Sequence, residues 1–220
     1  MYGTVGHMRV QPGRVDEFLE LNRKQYRVEA FISGSIVDFV FRLDAEPEHV
    51  IVVVVFDSRE SYHANAQSPG QDQRYREVRE LLSEDPLWLD GEVEPLLQQA
   101  GGDLARARYG TVAQARHMPG KWAEIEELVR IDEQSRNVRG AIGDWVFRLD
   151  RDPNEVVIVT VFESRELYRL NAADPEQNRS YQRLRALLAD DPVWHDGEVI
   201  LRLRFEEVVS HVSDVRRPAP

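Results

Sequence analysis

The stretch "DFVFRLD" runs from Asp38 to Asp44, and "DWVFRLD" runs from Asp144 to Asp150. Outward from this pair, the flanking motifs repeat as well. "YGTV" (Tyr2 to Val5) returns at Tyr109 to Val112, and "PG" (Pro12, Gly13) returns at Pro119 and Gly120. "FDSRESY" (Phe56 to Tyr62) returns as "FESRELY" (Phe162 to Tyr168), and "DPLWLDGEV" (Asp85 to Val93) as "DPVWHDGEV" (Asp191 to Val199). The order is the same in both halves, and the spacing differs by one residue, lost before Gly140. The chain is therefore two copies of a unit of roughly 100 residues, too long for a solenoid repeat and right for a small domain.

Composition narrows the class. The chain has 220 residues, 42% of them hydrophobic, enough for one large or two small cores. It has no cysteine, which excludes disulfides and thiolate metal sites. The opening "MYGTVGHMRV" shows no signal peptide, and the longest apolar run, "VIVVVVF" (Val50 to Phe56), is too short to span a bilayer as a helix. A soluble cytoplasmic protein with no membrane partner is expected. A net charge of −11 argues against a duplex nucleic-acid partner, whose phosphates it would repel. The six histidines make neither an H-x-x-x-H nor an H-x-H spacing, so no metal site is expected from local sequence.

Each copy reads as the same series. A strand ("YGTVGHMRV", "YGTVAQARH") is followed by "PG", which is expected to open a helix. In that helix Val15, Phe18 and Leu19 form an apolar stripe in copy one, and Trp122, Ile125, Leu128 and Val129 form it in copy two. "SIVDFVFRLD" alternates, with Val37, Phe39, Phe41 and Leu43 on one side. "VIVVVVF" reads as a central strand covered on both faces. Serines in "DSRE" and "ESRE" are N-cap candidates, and "SPGQ" and "DPEQ" interrupt the helix that follows. A last strand closes each copy. The order is β-α-β-β-α-β, an α+β, ferredoxin-like arrangement whose sheet leaves one face bare. Two copies can bury those faces sheet to sheet. The boundaries expected are 1–97 for the first unit, 98–108 for a linker, 109–206 for the second unit and 207–220 for a tail.

The element order, the "PG", the strand leading into F-[DE]-S-R-E-x-Y and the closing W-x-D-G-E-V resemble the antibiotic biosynthesis monooxygenase family, over nearly the whole chain. The resemblance implies a dimeric α/β barrel, carried here in one chain as a pseudo-dimer, with a further homodimer left open. It implies one of three activities: oxidation of an aromatic polyketide by O2 without a cofactor, haem binding or degradation, or a non-catalytic small-molecule-binding or scaffold barrel. The first is the reading adopted, with an aromatic small molecule and O2 as partners and no cofactor. The haem class uses an Asn on the first strand and a Trp and a His on the second helix. Those positions hold Gly6, Asn65 and Tyr75 in copy one, and Ala113, Asn171 and Tyr181 in copy two.

Cofactor-free oxygenation needs an aromatic pocket, a base for a phenol or anthrone, and donors for the developing oxyanion. His7, on the first strand and matched by Gln114, is either a general base or a half-buried polar residue near a strand edge. His63, matched by Arg169, lies at the margin of a site or on the surface. Its neighbours Tyr62 and Asn65 share another helix face. Asn65 and Asn171 either orient a substrate oxygen or cap the helix break. Tyr75 and Tyr181 sit on an apolar stripe, for catalysis or packing. His7, His63, Asn65 and Tyr75 are the catalytic candidates, and Tyr62, Phe39, Trp145, Asn171 and Tyr181 the substrate-contact candidates. The first half, which holds both of these histidines, is the half expected to work. Arg42 and Arg148 read as cross-strand ion-pair residues, and Trp88 and Trp194 as plugs at the barrel end.

Overall fold

Both copies turn the repeated motifs into the same elements. Copy one forms β1 (Tyr2–Arg9), α1 (Val15–Val28), β2 (Ser35–Leu43), β3 (His49–Phe56), α2 (Arg59–Ala66), α3 (Pro69–Arg79) and β4 (Leu87–Leu97). Copy two forms β5 (Tyr109–Arg116), α4 (Trp122–Ser135), β6 (Ala141–Leu149), β7 (Glu155–Phe162), α5 (Arg165–Ala172), α6 (Pro175–Arg185) and β8 (Val193–Leu203). The structure is a computed structural model that describes residues 1–28, 33–97, 104–135 and 138–203. Most of the expected linker, 98–103, and the expected tail, 207–220, lie outside the described residues, while Leu104–Arg106 forms a 3₁₀ turn.

Local chemistry explains the boundaries. "PG" does not open the helix as expected. Gly13 has φ +78° and Gly120 φ +79°, left-handed backbone that favours glycine, so the pair makes a turn. The helices start after it, at Val15 and Trp122. The capping serines behave as read: Ser58 Oγ accepts from the Ser61 amide at 3.1 Å and Ser164 Oγ from the Leu167 amide at 3.2 Å. The proline breaks divide each second helix in two. Ser68 Oγ accepts from the Gln71 amide at 3.1 Å and Asp174 Oδ1 from the Glu176 amide at 2.8 Å, each followed by proline in the first turn.

Strand pairing runs in the closed order β1-β3-β2-β8-β5-β7-β6-β4, so the fold is an α+β, pseudo-dimeric α/β barrel. The chain forms two compact units, and these cross the sequence repeat. Among the described residues, one holds those of Met1–Trp88 with 200–203, and the other holds those of Leu89–Val199. Strand β4 has 11 residues, roughly 36 Å of chain. That length carries Gly91–Leu97 of copy one into antiparallel pairing with Leu149–Asp144 of β6, inside the second unit. Reciprocally, Ile200 and Leu201 of copy two pack on the core of the first unit. Each copy's last strand thus protects an edge of the other's sheet, where unpaired backbone groups would otherwise be exposed.

The helix-covered core of the first unit joins Phe18 and Leu19 of α1 to Met8, Val40, Val50 and Val52 of the sheet and to Val78 of α3. That of the second unit joins Ile125 of α4 to Ala115, Val146, Val156 and Leu188. Strand alternation therefore turns even-numbered residues of β1, β2 and β3 toward the helices. Odd-numbered ones, among them Val5, Val37, Phe39 and Ile51, lie buried on the opposite face. No described helix is long and apolar enough to cross a membrane.

Candidate functional site

In the second unit the register lines polar side chains up under helices α5 and α6. Asp196 of β8 pairs with Thr111 of β5, Thr111 pairs with Thr160 of β7, and Thr160 pairs with Asp144 of β6. All four share the helix-facing side, since Thr111 lies two and four positions from Tyr109 and Ala115, which contact helical residues. Directly opposed residues on one face stand about 5 Å apart, so the row is a continuous polar band across the sheet. Copy one keeps Thr4 and Asp38 but has Val54 where Thr160 stands.

Helix α5 closes over one end of the row. The Tyr168 hydroxyl donates to Asp196 Oδ2 at 2.7 Å, and the Tyr168 ring packs on Tyr109 at 5.0 Å and edge-on to Phe162 at 5.4 Å. Burial pushes the Tyr168 phenol well above the usual tyrosine range, the bond to Asp196 pushes it further, and Thr111 beside it pulls weakly the other way. Tyr168 is therefore a neutral donor throughout the physiological range. Its raised folded value makes a stabilising contribution that is whole below the unfolded value of about 10 and is lost as pH rises beyond it. Tyr168→Phe is expected to flatten the fall in stability above pH 10, measured by urea unfolding at several alkaline pH values. An equally steep fall in the variant would remove Tyr168 as its source. Asp196 Oδ1 is buried, and no described group donates to it.

Beside the row, two residues along β8 from Asp196, the surface is aromatic, and here the copies differ. In copy one Trp88 lies flat on the strand: a methyl at Gly6 would stand 2.5 Å from its ring carbon Cζ3. Copy two has Ala113 at that position, paired with Trp194, and the Trp194 ring meets Tyr181 of α6 edge-on at 6.1 Å. Gly6→Ala is expected to drive Trp88 off the strand, costing about 1–3 kcal/mol as an overpacking change and red-shifting tryptophan emission. Unchanged emission and melting temperature would contradict this contact. Trp88 and Trp194 are 38% and 48% exposed, so neither is the buried plug expected of it. Two residues before Asp90 and Asp196 on strands β4 and β8, they border the helix-facing surface of the sheet, where solvent reaches them.

The structure separates the sequence candidates. His7 lies on the sheet face away from the helices, five positions from Tyr2, with Nδ1 3.2 Å from Nε2 of the buried His49. Phe39 and Trp145 are buried on that same side of their strands, by alternation from Val40 and Val146 in the helix-covered cores. Tyr62 and His63 are on the helix side: Tyr62 packs on Tyr2 at 4.9 Å, and the exposed His63 is 6.0 Å from Tyr2. Asn65 accepts from Arg74 Nη2 at 3.3 Å, and Arg74 also donates to Gln71 at 2.9 Å. Asn171 is partly buried, and Ser180 stands where copy one has Arg74, so this guanidinium clamp belongs to copy one. Tyr75 and Tyr181 are both partly buried on their helices. Arg148 is an ion-pair residue as read, 3.7 Å from Glu94 on the neighbouring strand, with its guanidinium over Trp122 at 5.2 Å.

Asp196, Thr111 and Thr160 were missed as site residues. The signal for Asp196 was present: in "WHDGEV" Trp194 and Asp196 alternate onto one face. The Thr111–Thr160 pairing depends on register, which no local pattern displays. Among the described residues no group of three or more His, Cys, Asp or Glu side chains could hold a metal ion.

The antibiotic biosynthesis monooxygenase family model matches residues 1–76. Among solved structures, a Fusobacterium nucleatum protein provisionally described as a monooxygenase superposes with TM-score 0.75 at 10% identity, covering 92% of this chain and 94% of its own. A Lactobacillus acidophilus protein with the same provisional description gives TM-score 0.70 at 12% identity, covering 91% of this chain and 93% of its own. An anthrone oxidase-like protein gives 0.66 at 13% identity and 93% of each chain. At these identities the likeness is one of fold. No curated protein matches the chain.

Proposed function

We propose that this two-copy member of the antibiotic biosynthesis monooxygenase family oxidises a flat, hydrophobic phenol or anthrone with O2, without an organic cofactor, on the helix-facing side of its second unit. The observation that carries the reading is the polar row Asp196–Thr111–Thr160–Asp144 bordered by Tyr109, Tyr168, Tyr181 and Trp194. A flat ring suits the aromatic border, and a substrate hydroxyl or carbonyl suits the row. Asn171 and Tyr181 serve as contacts to the substrate from the helices. The chemistry asked of the protein is small. The substrate loses a proton, and its anion gives one electron to O2. The resulting radical and superoxide join in a C–O bond. For an anthrone, protonation of the peroxide and loss of water, with departure of the remaining C–H proton, leave the quinone: one oxygen atom enters the carbonyl and the other leaves as water.

The test is oxidation of 1,8-dihydroxyanthrone under oxygen-18 gas by the purified chain. The reading expects the quinone with one labelled oxygen, formed faster than in buffer alone. Product formation no faster than in buffer would count against it. A haem reading would need an axial ligand from α3 or α6. Neither helix contains a histidine, and Tyr181 of α6 is packed edge-on against Trp194, which leaves Tyr75 of α3 as the one side chain of these two positions that would hold the iron; no step is derived through haem.

A further inference from the structure

We propose that Asp196 is the group that removes the substrate's proton, and that Tyr168 is its positioning residue, so that the second unit is the half that works. The assignment rests on the oxygenase reading above and adds the residue that starts it.

Geometry distinguishes the two oxygens of Asp196. Oδ2 is held by the Tyr168 hydroxyl at 2.7 Å, and Oδ1 is buried with no described donor. A buried carboxylate oxygen without a donor is costly to leave so, and a substrate O–H is the group that would satisfy it. The hydrogen bond from Tyr168 fixes the carboxylate plane, so that Oδ1 has one direction in which to accept. Tyr168 remains protonated because burial and Asp196 both raise it, so it cannot compete as the base. The site's neighbours supply the rest. Thr111 is directly opposite Asp196, and Thr160 is next in the row. Trp194 is two residues away on the same face and meets Tyr181.

Sequence repeats part of this in copy one as Tyr62, Asp90 and Thr4. Three differences point to copy two. Val54 replaces Thr160, so the polar row is interrupted. Trp88 covers Gly6, a position that copy two gives to Ala113, whose methyl a ring so placed would meet. Arg74 engages the Asn65 amide, whereas Ser180 takes the place of Arg74 beside Asn171. A ligand on copy one would have to displace an indole and a guanidinium.

In the proposed step the acidic bond of the substrate breaks, the O–H of a phenol or of an anthrone's hydroxy tautomer or the ring C–H of the anthrone itself, and its proton passes to Asp196 Oδ1, leaving the electron pair delocalised on the substrate. The anion then reduces O2 as above. The same proton returns to the peroxide, so Asp196 ends as it began.

Asp196→Asn keeps an oxygen for Tyr168 and removes the basicity. Mixed anaerobically with 1,8-dihydroxyanthrone, the unaltered protein is expected to generate the coloured enolate of the probe. D196N is expected to quench tryptophan fluorescence with the probe as the parent does, to show no enolate band, and to consume O2 more than 100-fold more slowly. Asp90→Asn is expected to stay within threefold of the parent. Tyr168→Phe, which removes the hydrogen bond that fixes the Asp196 carboxylate, is expected to lower kcat about 10-fold with KM for the probe within threefold of the parent, a split that a merely structural role would not produce and that stands if D196N folds poorly. An enolate band and turnover retained in D196N, or lost in D90N instead, overturn the assignment. An Asp196-dependent enolate band without oxidation by the parent overturns the oxygenase reading alone, and neither band nor oxidation in the parent overturns both.

Discussion

Phe18→Ala is expected to lower the free energy of unfolding by about 4 kcal/mol, since truncating a buried phenylalanine costs about 3–5 kcal/mol. Phe18 is fully buried between α1 and the helix-facing residues Met8, Val40, Val50 and Val52. It belongs to the cluster that joins α1 to the sheet and to Val78 of α3, and a close-packed core relaxes only partly around a deletion. Its match in copy two is Ile125, 6% exposed, against Ala115, Val146 and Val156. Ile125→Ala is expected to cost somewhat less, about 3 kcal/mol, because fewer methylenes are lost. Against a whole stability of about 5–15 kcal/mol either loss is large. Urea unfolding of both variants measures it. A loss below about 1 kcal/mol at Phe18 would mean that α1 is not held by this core.

Asn171→Ala is expected to slow oxidation by about 100-fold, the scale seen when one donor to a developing oxyanion is removed. Asn65→Ala is expected to cost at most a few-fold. The two asparagines occupy matching positions on α5 and α2, but the Asn65 carbonyl is engaged by Arg74 at 3.3 Å. A substrate would have to break that bond before using Asn65, whereas Asn171 has Ser180 in the place of Arg74. Initial rates with 1,8-dihydroxyanthrone separate the cases. Equal losses in the two variants would make the asparagines architectural, and a larger loss in N65A would move the site to copy one.

The duplication made most of the fold readable from sequence. Repeated "DxVFRLD" and "YGTV" marked the strands, and Ser58, Ser164, Pro69 and Pro175 marked the helix starts, because alternation and capping are local properties. "PG" misled where the backbone sign mattered: proline suits a first helical turn, but Gly13 and Gly120 adopt positive φ and close the strand instead. The exchange of β4 and β8 between units was hidden, since an apolar strand shows its period and not its partner. The site was legible in pieces. Tyr62, Asn65, Asn171 and Tyr181 lie on the helix side, whereas His7 could have been set apart by counting five residues from Tyr2 on a regular strand. Its neighbour His49 starts another strand, 42 residues on, and only the pairing of β1 with β3 brings the two rings together. Asp196 stands inside a repeated motif, but its significance depends on the hydroxyl of Tyr168, 28 residues away in sequence.

The central claim is that this fold, with its own side chains, lets O2 oxidise an ionised aromatic. Oxygen uptake by the purified chain, freed of flavin and treated with EDTA, measures it most directly with 1,8-dihydroxyanthrone as the probe. The account predicts consumption of one O2 per anthrone oxidised, at a rate well above the probe's spontaneous oxidation and abolished in D196N. Uptake at the spontaneous rate, the same with protein as without, would contradict it.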